Sequence, residues 1–346
     1  MYPGVVAVTH NFKPEDLRNR IFSPERTDAT AGFPKELRAY FGARGVDVVT
    51  PDMVPFDAPE LRYVIYLDMS WRQYLRDPFL RRIPPAKRVL VIMEPSNVNP
   101  SLYYLPFLRR QFAVVFTWHE GLLRDPSYTR IQVLQGASPE LYRANPFGGV
   151  PFEQKRLLCA VSRNRWSYVP YSSYGLRMRA YRHFEQALGD AFDLYGEGWN
   201  QPRVFYERWF GHHTFRCYRG TIFSCYDEKV RVLSRYRFSL CMENNAQDSG
   251  YVSEKIIDAM CARCVPVYHG WEGADRFIPA ACFINFRHYR NLDALERFLS
   301  GMDARTHARY VAAIDEFLAG PKADRFANRA MYATLYERLF GSAGAR

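Results

Sequence analysis

Short runs of β-branched residues alternate with helical stretches along the chain, and this alternation restricts the fold more than any other feature. The strands predicted in the first half are Val5–Val8, Val46–Thr50, Tyr63–Leu67, Arg88–Met93, Val114–Thr117 and Ile131–Leu134. These runs are apolar on both faces, which is typical of parallel strands that helices cover on both sides. The pattern therefore predicts an α/β fold with helices around a parallel sheet.

The same alternation begins again after a loop-rich stretch of glycine and proline at residues 145–151. The elements predicted there are the strands Leu157–Val161, Phe192–Tyr195, Phe238–Met242, Val265–Tyr268 and Phe283–Ile284, and the helices Leu176–Leu188, 304–318 and 325–340. With 346 residues, the chain is also longer than one hydrophobic core usually serves. We therefore expect two Rossmann-like, doubly wound α/β domains facing a cleft, with ligands beyond the carboxyl ends of the strands.

The predicted boundaries are 1–150 for the first domain, 151–325 for the second, and 326–346 for a C-terminal helix. The apolar residues of this helix lie on overlapping faces, and they are Phe326, Met331, Tyr332, Leu335 and Leu339. Two roles remain open for the helix, namely packing across the domains or contact with an anionic membrane face.

The net charge of +11 attracts anionic partners such as nucleic acid, a membrane face or a phosphorylated substrate. The basic residues are spread in singles and pairs, as at Arg81-Arg82, and form no dense tract that would mark a nucleic-acid arm. We therefore predict no nucleic-acid partner. No apolar run approaches the roughly 18 residues of a membrane span.

Cysteine usage and the N-terminal sequence both favour a cytoplasmic protein. The seven cysteines are an odd number, which favours reduced thiols over a disulfide framework. The first ten residues lack the basic and then apolar pattern of a secretion signal. Cys261 and Cys264 have the spacing of a zinc or redox pair, but they have no second pair and fall within a helical pattern, which favours helix packing.

The densest chemical signal is a strand–loop–helix–strand unit in the second domain. Its first strand ends in the polar pair Glu243-Asn244, and Ser253 is placed to cap the following helix. Helix N-terminal amides attract phosphate, and Lys255 adds a full positive charge in the first turn. Glu254 beside it is suited to a ribose hydroxyl. The unit predicts a nucleotide-diphosphate site that is neither a P-loop nor a G-x-G-x-x-G site.

Three segments of this unit resemble the donor-site signature of the α1,3/4-fucosyltransferases, glycosyltransferase family 10. They read Phe238-Ser-Leu-Cys-Met-Glu-Asn, Tyr251-Val-Ser-Glu-Lys and Val265-Pro-Val-Tyr-His-Gly. The family pattern has an aromatic residue before Glu-Asn, then Tyr-Val-Thr-Glu-Lys, then Val-Pro-Val and a glycine. The chain departs from it with Met242 before Glu-Asn and Ser253 for threonine. The resemblance implies the GT-B architecture, with an acceptor-side first domain and a second domain that holds the donor.

Carried over residue by residue, the resemblance implies that Arg219 and Lys255 grip the diphosphate of the donor. It implies that Tyr251 and Glu254 contact the nucleoside or the sugar, and that Asn244 lies near the fucose. Two further residues complete the predicted donor site, Glu243 by shaping the strand end and His269 as a candidate hydrogen-bond partner of the donor.

In the first domain, the segment Val89-Leu-Val-Ile-Met-Glu94-Pro-Ser-Asn resembles the one that holds the family's general base. The family usually reads Glu-Ser-Pro at this point, whereas this chain reads Glu94-Pro-Ser. The resemblance implies that Glu94 is the catalytic base, and its place after a predicted strand directs it toward the cleft.

The resemblance implies an inverting, metal-independent glycosyltransferase without cofactors that moves fucose from GDP-fucose to a hydroxyl of a glycan, such as O3 of GlcNAc or Glc in a lipopolysaccharide or a glycoprotein. The chain contains no Asp-x-Asp, the motif with which many sugar transferases hold a metal-bound diphosphate. The expected partners are a nucleotide-sugar donor and a glycan acceptor, with peripheral contact to the cytoplasmic membrane left open. The alternatives are a same-fold transferase that uses another nucleotide sugar, and a non-catalytic glycan-binding protein.

Overall fold

The chain folds into two compact α/β units. The computed structural model describes residues 4–10, 14–26, 32–99, 105–132, 136–147, 149–169, 171–202, 205, 207–222 and 226–341. The first unit comprises Met1–Gln135 together with Arg325–Arg346, and the second comprises Gly136–Asp324.

The first unit is built on a parallel sheet. Its described strands are β1 (Val5–His10), β2 (Asp47–Val49), β3 (Leu61–Leu67), β4 (Arg88–Val91), β5 (Val114–Thr117) and β6 (Tyr128–Arg130). They are ordered β2-β1-β3-β4-β5-β6, and every neighbouring pair is parallel. This confirms β1 to β5 as predicted, with small shifts at their ends.

The last strand of this sheet differs from the prediction. β6 ends at Arg130, so the predicted strand Ile131–Leu134 is wrong in its bounds, and the last two of those residues lie outside the described ones. Pairing starts as soon as the chain leaves the turn in which the carboxylate of Asp125 accepts the N–H of Ser127. β-branched composition does not mark a boundary that a turn decides.

The second unit is built on another parallel sheet. Its described strands are β7 (Arg156–Val161), β8 (Phe192–Tyr195), β9 (Tyr236–Met242), β10 (Val265–His269) and β11 (Ile284–Asn285). They are ordered β11-β10-β9-β7-β8 with parallel neighbours throughout. All five strands were predicted, with end shifts of one or two residues. Because parallel strands end at one edge of the sheet, the residues that follow β9 and β10 lie side by side.

Helices surround both sheets. The described helices are α1 (Gly32–Gly42), α2 (Trp71–Arg76), α3 (Leu105–Leu108), α4 (Pro139–Tyr142), α5 (Tyr174–Leu188), α6 (Glu207–Phe210), α7 (Tyr226–Leu233), α8 (Glu254–Cys261), α9 (Leu292–Ser300), α10 (Ala304–Ala319), α11 (Pro321–Asp324) and α12 (Asn328–Phe340). In the described part of the chain, none of them is long and apolar enough to cross a membrane.

The last helix, α12, belongs to the hydrophobic core of the first unit. Leu335 is fully buried in that core beside Phe41 of α1, and Tyr332 donates its hydroxyl proton to Glu36 at 2.9 Å. The hydroxyl of Tyr63 on β3 donates to the carbonyl of Leu339 at 3.2 Å. The first unit therefore covers the apolar face of α12. This excludes contact between that face and a membrane.

The division between the units differs from the predicted boundary at residue 150. The backbone N–H of Ala137 donates to Asp258 on α8 at 2.7 Å, and the guanidinium of Arg263 donates to the carbonyls of Tyr142 and Arg143. These bonds join residues 136–150 to the second unit. The loop-rich composition at 145–151 marks an irregular stretch rather than the junction.

Of the two cysteines with metal-like spacing, Cys261 lies on α8 and Cys264 lies beyond its end, so the predicted helical pattern was right for Cys261 and wrong for Cys264. α8 ends at Cys261, and Arg263 then takes a left-handed conformation with φ of 51°. This turn places Cys264 directly before β10. Both thiols are buried, and burial raises the pKa of Cys261 above its usual value.

We expect Leu335→Ala to lower the free energy of unfolding by about 2–5 kcal/mol, because the cavity opens in a packed core. Urea denaturation followed by circular dichroism measures the change. Glu337→Ala, at an exposed position of the same helix, is the matched control and should change stability by no more than about 0.5 kcal/mol. Equal effects of the two variants would contradict the place of α12 in the core.

Candidate active site

The end of β9 is organised by one buried carboxylate. Glu243 is fully buried and accepts the backbone N–H of Ser253 at 2.8 Å and its hydroxyl at 2.6 Å. The hydroxyl of Tyr268 on β10 donates to the same carboxylate at 3.4 Å, and the N–H of Glu243 donates to the carbonyl of His269 at 2.8 Å. Glu243 therefore shapes the strand end, as predicted, by tying β9, β10 and the start of α8 together.

The first turn of α8 concentrates positive potential. The Ser253 hydroxyl caps the helix by accepting the backbone N–H of Lys255 at 3.4 Å. The Lys255 ammonium lies 3.5 Å from Glu243 and 3.6 Å from Glu254, and its side chain is only 14% exposed. Burial raises the pKa of Glu254, but the charges of Lys255 and Lys229 outweigh it and hold that pKa below its usual value. Glu254 is therefore ionised beside the helix N-terminus.

An arginine that sequence reasoning missed completes this cluster. Arg177 on α5 is 3% exposed, and its Nη2 donates to the carbonyl of Met242 at 2.7 Å and to Oδ1 of Asn244 at 3.1 Å. Its Nε is buried without a hydrogen-bond partner, and Arg177 forms no salt bridge within the described residues. A buried cation without a carboxylate partner is costly. The guanidinium is therefore suited to an anionic ligand.

The structure does not bring Arg219 to this cluster. Its Nε donates to Asp193 of β8 at 2.6 Å, and the same carboxylate receives Arg156 at 2.5 Å and the Tyr236 hydroxyl at 2.6 Å. In the register of the sheet, Asp193 on β8 pairs with Cys159 on β7, and Cys159 pairs with Ser239 on β9. Asp193 therefore lies several residues before the end of β9, which Glu243 follows. The buried Asp193 carboxylate pairs with both Arg156 and Arg219, and the predicted contact of Arg219 with the diphosphate stays a prediction.

Two more predicted residues lie at the same edge as Glu243 and Lys255. Tyr251 is buried, and its carbonyl accepts the Tyr268 hydroxyl at 3.5 Å. His269 ends β10, and its Nδ1 is buried with no hydrogen-bond partner in the described ranges. Burial first, and then the charge of Arg287, lower the pKa of His269 to about 4. His269 is therefore neutral at physiological pH and can offer one ring nitrogen to a ligand.

In the first unit, Glu94 follows β4 in a turn that a second carboxylate organises. Asp68, directly after β3, accepts the backbone N–H of Met93 at 2.9 Å and that of Glu94 at 3.1 Å. Burial first, and then the charge of Glu94, raise the pKa of Asp68 to about 7. Sequence reasoning missed Asp68 because it follows its strand without a recognised motif. Its position one residue beyond the end of β3 was the available signal.

The cluster in the second unit has the chemistry of a diphosphate site. Arg177, Lys255 and the first amides of α8 lie near the ends of β9 and β10, and Glu254 and Asn244 add side-chain oxygen atoms that can accept hydrogen bonds. Within the described ranges, no three His, Cys, Asp or Glu side chains are grouped so that they could hold a metal ion.

Two parallel-sheet α/β units with such a site at a sheet edge define the GT-B class of glycosyltransferase folds. The crystal structure of an alpha1,3-fucosyltransferase with GDP-fucose aligns with a TM-score of 0.53 and 14% identity, over 98% of this chain and 90% of that one. An alpha-glucosyltransferase in complex with UDP aligns with a TM-score of 0.56 and 11% identity, over 97% and 99%. These likenesses establish the fold.

A comparison with protein-family models is more specific than the likeness in fold. Residues 161–313 match the family model of glycosyltransferase family 10 (fucosyltransferase), C-terminal part. The match covers less than half of the chain, and over these residues it confirms the resemblance to glycosyltransferase family 10 drawn from the sequence. The match begins after Glu94 and includes all the predicted residues of the second unit.

Curated relatives agree over shorter stretches. The alpha-(1,3)-fucosyltransferase FucT of Helicobacter pylori is 37% identical over 75 residues, which are 22% of this chain and 16% of that protein. The human alpha-(1,3)-fucosyltransferase 7 is 25% identical over 205 residues, or 57% of this chain and 48% of that protein. The chain thus spans less than two thirds of the length of these relatives.

Because the folded pKa of Asp68 lies above its unfolded value, its contribution to stability is full below about pH 4 and is lost as the pH rises through about 7. We therefore expect the free energy of unfolding of the wild type, relative to Asp68→Asn, to fall between about pH 4 and pH 7, by up to about 1.4 kcal/mol per pH unit. Urea denaturation over this range measures it. A difference that stays constant with pH would show that folding does not raise the pKa of Asp68.

Proposed function

We propose that this protein transfers fucose from GDP-fucose to a hydroxyl of a glycan, with inversion and without a metal ion. The observation that carries the proposal is the convergence of Arg177 and Lys255 on the capped start of α8, in a domain of the fucosyltransferase family. The solved relative with GDP-fucose bound and the fucosyltransferase names of the curated relatives support the choice of donor.

In this proposal the second unit stabilises the leaving group. As the bond between the anomeric carbon and the diphosphate breaks, negative charge builds on the phosphate oxygens. Arg177, Lys255 and the helix amides are fixed before the reaction, so they stabilise that charge without reorganising. One such contact is worth a few kcal/mol of barrier, or about 10²-fold in rate. This arrangement lets cationic side chains do what a bound metal does in other transferases.

The remaining donor contacts follow from the same geometry. Glu254 is ionised and can accept hydrogen bonds from ribose hydroxyls, and Asn244 is held by Arg177 close to the diphosphate. The neutral His269 can exchange one hydrogen bond with the sugar or nucleotide. Tyr251 supports the loop between β9 and α8 from a buried position.

Glu94 is the proposed general base. It accepts the proton of the acceptor hydroxyl while the hydroxyl oxygen attacks the anomeric carbon and GDP departs with the electron pair of the broken bond. One displacement of this kind inverts the anomeric configuration. Glu94 is half-buried, which suits a carboxylate that must meet a substrate.

For the acceptor we propose O3 of GlcNAc or Glc in a surface glycan. A human relative that is 35% identical over 86 residues bears the name 4-galactosyl-N-acetylglucosaminide 3-alpha-L-fucosyltransferase, which supports a GlcNAc acceptor. Cytoplasmic localisation stays a prediction, as does peripheral membrane contact by a surface other than the covered face of α12, and fractionation of expressing cells would test both.

We expect Arg177→Ala to weaken GDP-fucose binding by about 10- to 100-fold, since it removes a charge-assisted contact worth about 1.5–3 kcal/mol. Arg219→Ala is the matched control and should leave the affinity within about twofold, because that guanidinium is engaged with Asp193. Isothermal titration calorimetry measures both. Equal losses in the two variants, or a loss in Arg219→Ala alone, would contradict this assignment of the diphosphate arginine.

A second titration series tests donor and metal. We expect GDP and GDP-fucose to bind equally well with and without EDTA, and more tightly than GDP-mannose, UDP-galactose or UDP-glucose. The UDP sugars are included because a glucosyltransferase with bound UDP shares the fold. Selective UDP binding would keep the fold and reject fucose, and loss of GDP binding in EDTA would reject the metal-free mechanism.

A further inference from the structure

The carboxylate of Asp68 fixes the turn that carries Glu94 through hydrogen bonds to its backbone. One oxygen, Oδ1, accepts the backbone N–H of Met93 at 2.9 Å, and Oδ2 accepts that of Glu94 at 3.1 Å. The side chain of Asn99, at the far end of the same turn, donates a third hydrogen bond to Asp68. One carboxylate thus holds both ends of the segment from 93 to 99.

Asp68 is itself held firmly. It is 3% exposed, and its backbone N–H donates to the carbonyl of Val91 at 2.9 Å, which joins it to the end of β4. Its φ of 59° is left-handed, a conformation that aspartate adopts more readily than most residues other than glycine. The oxygens of Asp68 therefore have a fixed direction relative to the strand from which Glu94 emerges.

Burying the Asp68 carboxylate close to a second negative charge costs free energy, and a residue with only a structural role would not need this cost. Within the described residues, Asp68 forms no salt bridge, and its buried carboxylate lies where the negative charge of Glu94 acts on it. Like charges that are kept close in a buried place are common at functional sites. The closest structural parallel in the same unit, Asp77, caps the N–H groups of Phe79 and Leu80 without any second carboxylate among the groups that act on it.

We propose that Asp68 is a positioning residue for the general base, which fixes the backbone at Glu94 and thereby aims its carboxylate at the acceptor hydroxyl. This inference rests on the proposed function, because it assigns Asp68 a part in that reaction. Asp68 exchanges no proton with the substrate and acts only through Glu94. A base that is displaced by about 1 Å can lose about 10²-fold in rate, so the support of its backbone matters.

The test is a cycle of three variants, Asp68→Asn, Glu94→Gln and the double variant, assayed for fucose transfer from GDP-fucose to an N-acetyllactosamine acceptor. An amide in place of the carboxylate keeps the size of the side chain but leaves one oxygen for two N–H donors. We expect Asp68→Asn to lower kcat by about 10- to 100-fold with the KM for GDP-fucose within about twofold. In the Glu94→Gln background it should cause no further loss, since its effect passes through Glu94.

Asp77→Asn is the matched structural control, because it also removes a buried carboxylate that accepts two N–H groups in the first unit. It should lower the melting temperature without changing kcat. Should Asp68→Asn fail to fold, Asn99→Ala removes the third hydrogen bond to Asp68, and we expect a smaller loss of kcat that also disappears in the Glu94→Gln background.

An unchanged kcat in Asp68→Asn would overturn the inference, as would losses of equal size in the wild-type and Glu94→Gln backgrounds, which would show a general effect on the fold. A loss that appears only as a raised KM for GDP-fucose would overturn it as well. A wild-type protein that transfers no fucose while it remains folded would instead overturn the proposed function, and the inference with it.

Discussion

The second unit depends on the burial of a single negative charge. Glu243 has no exposed surface, so its carboxylate must be satisfied by protein groups, and Ser253 supplies both an N–H and a hydroxyl. This requirement fixes where α8 begins relative to the end of β9. The position of Lys255, which lies two residues after Ser253, follows from it. The carboxylate thus sets the geometry of the cationic site although it is not a ligand for an anion.

The two cationic side chains of the site, Lys255 and Arg177, differ in their partners. Lys255 has carboxylates on both sides, whereas Arg177 is held only by a carbonyl and by the amide oxygen of Asn244. The lysine is thereby neutralised locally, while the arginine keeps its full charge in a buried place. Under the proposed function, a diphosphate would meet in Arg177 a guanidinium that has no carboxylate partner within the described residues.

The sheets and the strand-end chemistry could be predicted because both depend on local sequence. β-branched runs identified the strands, and Glu243, Ser253 and Lys255 follow one another closely along the chain. Arg177 could not be predicted in the same way, since its role depends on which face of α5 packs against the end of β9, a contact between distant segments. The family resemblance implied the role of Arg219, and the sequence does not reveal its ion pair with the buried Asp193.

The return of α12 to the first unit has a consequence for how the chain folds during synthesis. The sheet of the first unit leaves the ribosome before the second unit, whereas Leu335 and Leu339, which complete its core, leave after the whole second unit. The second unit can therefore complete its core earlier than the first, although it is made later. Until then the apolar surface around Phe41 lacks the cover that α12 provides in the folded unit.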